Sequence, residues 1–296
     1  MRILMLPLIL FIYSCQPTPP AEEPETLPEQ EQLIYIASRG DGFDLYTFDL
    51  ERKKEYPFAH ALGWEWGPQF IQEKELVIYN SQDTSGNFQL RAADINGVPV
   101  DMALPDLPNL LVSPDGNWIV YSRSKDEVTQ LLLAPLDRLA DSLLITPDSA
   151  YHGRAKWSWD SQQIAFVSDR NGTNEVYRYS LEDQSTQQLT DNTVREKYLS
   201  WSPDGQQIAT SIRTDSTENE IALINVESQS LKVITDTPIN ESELAWSPSG
   251  RYIAYHAKVD EADDIFLLEV ATGKVQKITN GNGYHGEPGW ILKNNR

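Results

Sequence analysis

The chain has 296 residues and one cysteine, Cys15, so no intrachain disulfide can hold it together and the fold must stand on packing. Positive charge is scarce as well: 24 Lys and Arg against 44 Asp and Glu give a formal charge of -20. A field of that sign repels phosphate backbones, which excludes nucleic acid as a partner. No apolar run approaches the roughly 20 residues needed to span a bilayer as a helix. The longest, Ile3 to Tyr13, follows the single cation Arg2 and reads as a secretory signal. There is no G-x-S-x-G, the turn that presents the nucleophile of α/β hydrolases, so a serine hydrolase is not expected.

The sequence ending that apolar run, Ile12-Tyr13-Ser14-Cys15, resembles the lipobox of bacterial lipoproteins. The resemblance implies a signal peptide over 1–14 and acylation of Cys15, which ties the protein to a membrane. Residues 15–31 are rich in Pro and Glu and hold one large aliphatic residue, Leu27. Such a segment cannot bury a core and reads as an extended, self-repelling tether. Gln16 after the cysteine implies, by the same resemblance, the outer membrane facing the periplasm.

From residue 32 onward the chain repeats itself. Trp201 to Ser211 reads WSPDGQQIATS and Trp246 to His256 reads WSPSGRYIAYH. Aligned copies give anchors at Trp66, Val112, Trp157, Trp201, Trp246 and Trp290, a period of 40 to 50 residues that indicates propeller blades. After the anchors at 112, 157, 201 and 246 comes a Ser-Pro-Asp-Gly-like turn, in which proline presets one backbone angle and glycine permits the exit. A short strand follows, such as Ile164-Ala165-Phe166-Val167, then a second, then an outer strand ending at Thr146, Thr190, Thr235 or Thr279. Each of these threonines stands 11 residues before the next anchor, which fixes the register. Trp290 has no strands of its own after it, so the spacing predicts that its strand completes the blade begun at Leu33 and closes a ring. The expected fold is all-β: a six-bladed propeller of four-stranded antiparallel blades over 32–296. The anchor tryptophans and the alanines at 165, 209 and 254 are expected in the core between blades.

W-S-P-D-G, I-A-F/Y and L-T, with the hairpins Ser38 to Gly42 and Asp169 to Gly172, resemble the TolB-type propeller repeat. The resemblance implies an envelope binding platform whose propeller docks another protein. The chain differs from that family's prototype in having a tether where an α/β domain stands. Oligogalacturonate lyases are propellers of similar type, and that likeness implies an alternative: a metal-dependent enzyme acting on acidic oligosaccharides.

Loops leading from one blade to the next line a propeller's openings, and loops on a rigid ring commonly carry function. Tyr151-His152-Gly153 and Tyr284-His285-Gly286 recur at one offset, with Glu196 and Glu241 at the matching positions of two other blades. Two imidazoles and two carboxylates are metal-ligand types, but their spread round the ring argues against a shared ion, so neither metal nor cofactor is expected. The preferred reading is a polar mouth of His152, Arg154, Arg195, Glu196, Tyr198, Glu241, Glu243, His285 and Glu287 that binds an envelope protein or peptide without catalysis, in a monomer. Arg39, Arg123, Arg170 and Arg213 recur at one hairpin position and are expected to brace turns, while His60 and His256 offer no catalytic arrangement.

Overall fold

The computed structural model describes residues 31–293, apart from 39, 41, 60–62, 108–109, 126–127, 214–217 and 281–282. Cys15 and the tether up to residue 30 lie outside the described residues. Six four-stranded antiparallel sheets follow one another round a ring, each packed on the next and the sixth on the first. Blade 1 joins Glu31–Ser38, Phe43–Asp49 and Lys54–Ala59 to the C-terminal strand His285–Leu292. Blade 2 begins with Gly63–Ile71, blade 3 with Leu111–Val112, blade 4 with His152–Trp157, blade 5 with Arg195–Trp201 and blade 6 with Glu241–Trp246.

Closure is as the spacing predicts. Leu33 lies opposite Trp290 and Ala37 opposite His285, so strands from the two ends of the domain form one sheet. Glu31, at the start of the first strand, accepts hydrogen bonds from the backbone N–H and hydroxyl of Ser249 in the blade 6 turn, which clamps blade 6 to blade 1. Ring closure leaves no inner strand looking for a partner at the seam.

Each recurring residue has a bond to make. Ser113, Ser158, Ser202 and Ser247 accept the N–H of the residue five positions on, which ties off the turn. Thr146, Thr190, Thr235 and Thr279 accept the N–H of Leu131, Val176, Ile221 and Ile265 at 2.8–2.9 Å, fastening the outer strand to the third. The indole N–H of Trp157, Trp201 and Trp290 reaches the carbonyl of Leu111, Lys156 and Ala245 in the preceding blade. Trp201 and Trp246 are buried, and the apolar clusters combine residues of two adjacent blades, for example Ala165 and Val167 with Leu199, Trp201 and Ile208. Burying one such indole contributes about 3 kcal/mol, and its directed N–H selects the angle between blades.

One anchor is misplaced by the sequence reading. Blades 4 and 6 have a β-bulge between the residues four and one before the tryptophan, Gly153/Lys156 and Ser242/Ala245. In blade 2 the same bulge falls between Trp66 and Gln69, so Phe70 and not Trp66 is its anchor. Trp66 instead packs into the blade 1–blade 2 core beside Phe70.

Candidate functional site: the central channel

The nine residues expected at one mouth divide by repeat position. His152, Glu196, Glu241 and His285 stand five residues before their anchors and are buried to 1% exposure or less, so they do not form a surface. Each is bonded to the segment just before its strand or to the preceding blade. His152 Nε2 lies 2.6 Å from Asp148 Oδ1, and burial holds its pKa below the ordinary value against the pull of Asp148. His285 Nδ1 meets the Asp263 carbonyl at 3.0 Å. Glu241 accepts bonds from Thr235, Thr237 and the Ile221 N–H, and Glu196 accepts one from Asn192 at 2.7 Å. Burial pushes both carboxyls up to about 7 despite these bonds. Strand pairing explains the correction: this position lies opposite Ser168, Ile212 or Ala257 on the neighbouring strand, inside the blade.

Glu65 is a fifth member of this buried set, lying opposite Ser81 as His152 lies opposite Ser168. It was hidden by the displaced anchor. The repeated Tyr-His-Gly also has a packing cause. A Cβ at Gly153 or Gly286 would overlap the ring of Tyr151 or Tyr284 two residues earlier, so the glycine is space for the tyrosine.

Three residues before the anchor the chain behaves differently. Arg154, Glu243 and Glu287 adopt left-handed backbone angles, φ 56°, 54° and 48°, as Gly67 does in blade 2 at 64°. Left-handed angles are costly for side-chain-bearing residues and concentrate where function holds them. The bulge turns these residues out of the sheet and into the channel, where with Tyr198 they line a cavity of 380 Å³. The Arg154 guanidinium lies 4.7 Å from the Tyr198 ring centre, a cation–π contact. Glu243 accepts the Glu287 N–H at 2.7 Å, and Glu287 accepts the Gly67 N–H, linking blades 6, 1 and 2. Burial raises the Glu287 pKa, and neighbouring Glu243 adds to the rise.

Lys156 is the channel residue that the sequence reading passed over. It lines the cavity, and enclosure by protein lowers its pKa while Glu287 and Glu243 pull it back up. Its position one before the tryptophan lies just past the bulge, which is the signal that locates it. Arg195, by contrast, is exposed opposite Arg213 and does not line the cavity. Below the charged level the channel continues into a space of 170 Å³ lined by Trp157, Trp159, Trp201, Trp246 and Trp290, with Lys156, Pro68, Leu244 and Pro288 common to both.

The channel therefore offers a charged upper level, cations on blade 4 and carboxylates on blades 6 and 1, above an aromatic lower one. Among the described residues no three His, Cys, Asp or Glu side chains stand together as a metal site. His256 bonds Ser242 and Asp263, and Arg170 braces its hairpin by stacking on Tyr177 at 4.5 Å and pairing with Asp148. Arg39 and His60 lie outside the described residues.

Residues 108–294 match the family model described as the TolB beta propeller domain. TolB from Acinetobacter baumannii superposes with a TM-score of 0.73 at 20% identity, covering 88% of this chain and 67% of that one. A putative TolB from Agrobacterium tumefaciens gives 0.67 at 15% identity, covering 89% and 98%. Among curated proteins, dipeptidyl aminopeptidase BIII of Pseudoxanthomonas mexicana is 28% identical over 90 residues, 30% of this chain. That stretch is 13% of the peptidase's own length, so the likeness spans a small part of it.

Proposed function

Since the chain belongs to the TolB beta propeller domain family, we propose that it is a non-catalytic binding platform of the cell envelope, lipid-anchored through Cys15, whose channel mouth receives a protein or peptide. One observation carries this reading: the strand bulges at the same repeat position in blades 4, 6 and 1, and each time it directs a charged side chain into the channel. Arg154 and Lys156 face Glu243 and Glu287, a pattern that recognises a chain bearing both charges or a peptide group with its termini. The tryptophans beneath supply apolar area.

The metal-centred alternative draws no support from the histidines, since His152 and His285 are each buried against a separate partner, the Asp148 carboxylate and the Asp263 carbonyl. A chain replacing Tyr198 with a photo-cross-linking phenylalanine analogue tests the mouth in intact cells. A discrete adduct is expected from position 198 and its loss on combining Arg154→Glu with Glu243→Lys; an adduct of undiminished yield in that variant overturns the channel assignment. Labelling with a radioactive fatty acid tests the anchor, which Cys15→Ser should abolish.

A further inference from the structure

Lys156 stands where the two levels of the channel meet. Of the described charged residues lining the 380 Å³ cavity, it alone also lines the 170 Å³ space beneath. Two residues earlier on the same strand, within the bulge, Arg154 lines the upper level. Both side chains keep exposed surface there. They are close enough that the Arg154 charge opposes that of Lys156, adding to the effect of enclosure by protein. Glu243 and Glu287 pull on Lys156 from a distance, but each already holds a backbone N–H across a blade seam, those of Glu287 and Gly67. Arg154 stacks on the Tyr198 ring, and among the described residues neither cation pairs with a carboxylate. The stretch leading into Leu110, Pro108-Asn109, brings no carboxylate either. An anion set between the two cations would relieve their repulsion and replace the water that enclosure has taken from Lys156.

The lower level differs in kind. Trp157, Trp159, Trp201, Trp246 and Trp290 each donate the indole N–H to a backbone carbonyl. With their donors spent, these rings offer the space apolar surface. A cavity of about 150 Å³ holds a benzene ring, so 170 Å³ takes one aromatic or large aliphatic side chain. Order along the channel then selects the ligand, because a carboxylate held at Lys156 and Arg154 must have an apolar group directly beyond it. The C-terminal residue of a peptide has that arrangement, since its carboxylate and its side chain share one Cα. An internal Asp or Glu carries its carboxylate at the tip of the side chain, with no apolar group beside it to fill the tryptophan space.

We propose that the channel receives a free C-terminus: the α-carboxylate of an apolar C-terminal residue binds Lys156 and Arg154, and its side chain enters the space among the tryptophans. The proposal rests on the reading of the channel mouth as a binding surface and specifies which part of the partner enters it. Glu243 and Glu287, on blades 6 and 1, line the same level and are acceptors for the N–H groups of the incoming chain. Tyr198 lines that level too and gives the chain an aromatic face above the lysine.

Calorimetry and tryptophan emission on the full-length protein test it, with acetyl-Ala-Ala-Phe bearing a free carboxylate, its C-terminal amide, acetyl-Ala-Glu-Phe-amide, and hydrocinnamate. The free acid should bind saturably at millimolar concentration or below and change the emission. Both amides should bind at least about tenfold more weakly, as loss of one charge-assisted hydrogen bond implies. Hydrocinnamate, which lacks the peptide N–H groups, should also be about tenfold weaker or more. Lys156→Met should melt no lower than wild type and bind the acid and its amide alike. The comparison of acid with amide uses the wild-type protein, so it holds whatever the stability of the variant. No binding of the acid, an amide of equal affinity, unchanged emission, or a preference for the acid that survives in folded Lys156→Met each overturns the proposal. Hydrocinnamate binding as tightly as the peptide makes the ligand a small acid and overturns the chain end. If acid and amide bind alike while Arg154→Glu with Glu243→Lys still removes the adduct at position 198, the C-terminus is wrong and the channel reading stands; an adduct of undiminished yield sinks the channel reading itself.

Discussion

Replacing Glu196 by glutamine should flatten the pH dependence of stability. The carboxyl is fully buried, with one oxygen taking a hydrogen bond from Asn192 and the other having no partner, and burial raises its pKa from 4.5 to about 7. Between those values the folded protein holds a proton that the unfolded chain has released. The native state thus binds more protons there, and stability falls as pH rises through the window, reaching its full loss above pH 7. At about 1.4 kcal/mol per pKa unit the loss is about 3 kcal/mol. For a domain of this size that is about 6 to 12 °C in Tm. Glutamine has nothing to release, so Glu196→Gln should sit nearest wild type, apart from a constant offset, at pH 5 and gain on it progressively toward pH 8. Melting followed by circular dichroism at half-unit steps measures the difference. Parallel curves for the two proteins from pH 5 to 8 would refute a buried, proton-holding Glu196.

Two further substitutions probe the packing and the bulge. Trp201→Ala removes a buried indole and its bond to the Lys156 carbonyl, and should cost about 3 to 5 kcal/mol in denaturant titration; a loss below about 1 kcal/mol would mean that the blade wedge does not depend on it. Arg154→Gly relieves the φ of 56° and should stabilise the fold by about 1 kcal/mol while weakening partner capture, a stability gain with a functional loss that a purely structural arginine would not produce.

The repeat made the fold legible because most recurring residues make the same bond in each copy that has them. Ser202 ties its turn, Thr190 fastens an outer strand and Trp201 reaches into the previous blade, so regular spacing in the sequence is regular bonding in space. Blade 2 escaped because its anchor is a phenylalanine. Phe70 fills the wedge without an indole N–H, and nearby Trp66 offered the more conspicuous letter. The site was legible only in part for a different reason. Position relative to the anchor locates a residue along the strand, but which side its chain takes depends on whether the strand alternates regularly there.

That alternation is interrupted between the two sets of residues, and the interruption decides their chemistry. Five before the anchor, ahead of the bulge, ordinary pleating turns Glu196, Glu241, His152 and His285 into the packed interior, where each bonds the segment before its strand or the preceding blade. Three before it, the left-handed residue flips the sequence of faces, and Arg154, Glu243 and Glu287 enter the channel. A bulge inserts one residue without a cross-strand partner, so it frees a side chain from the sheet's packing while its neighbours stay fixed. The ring can then vary the channel's charge blade by blade at a single position, at the cost of one strained backbone angle, and leave the buried set to hold the blades in shape.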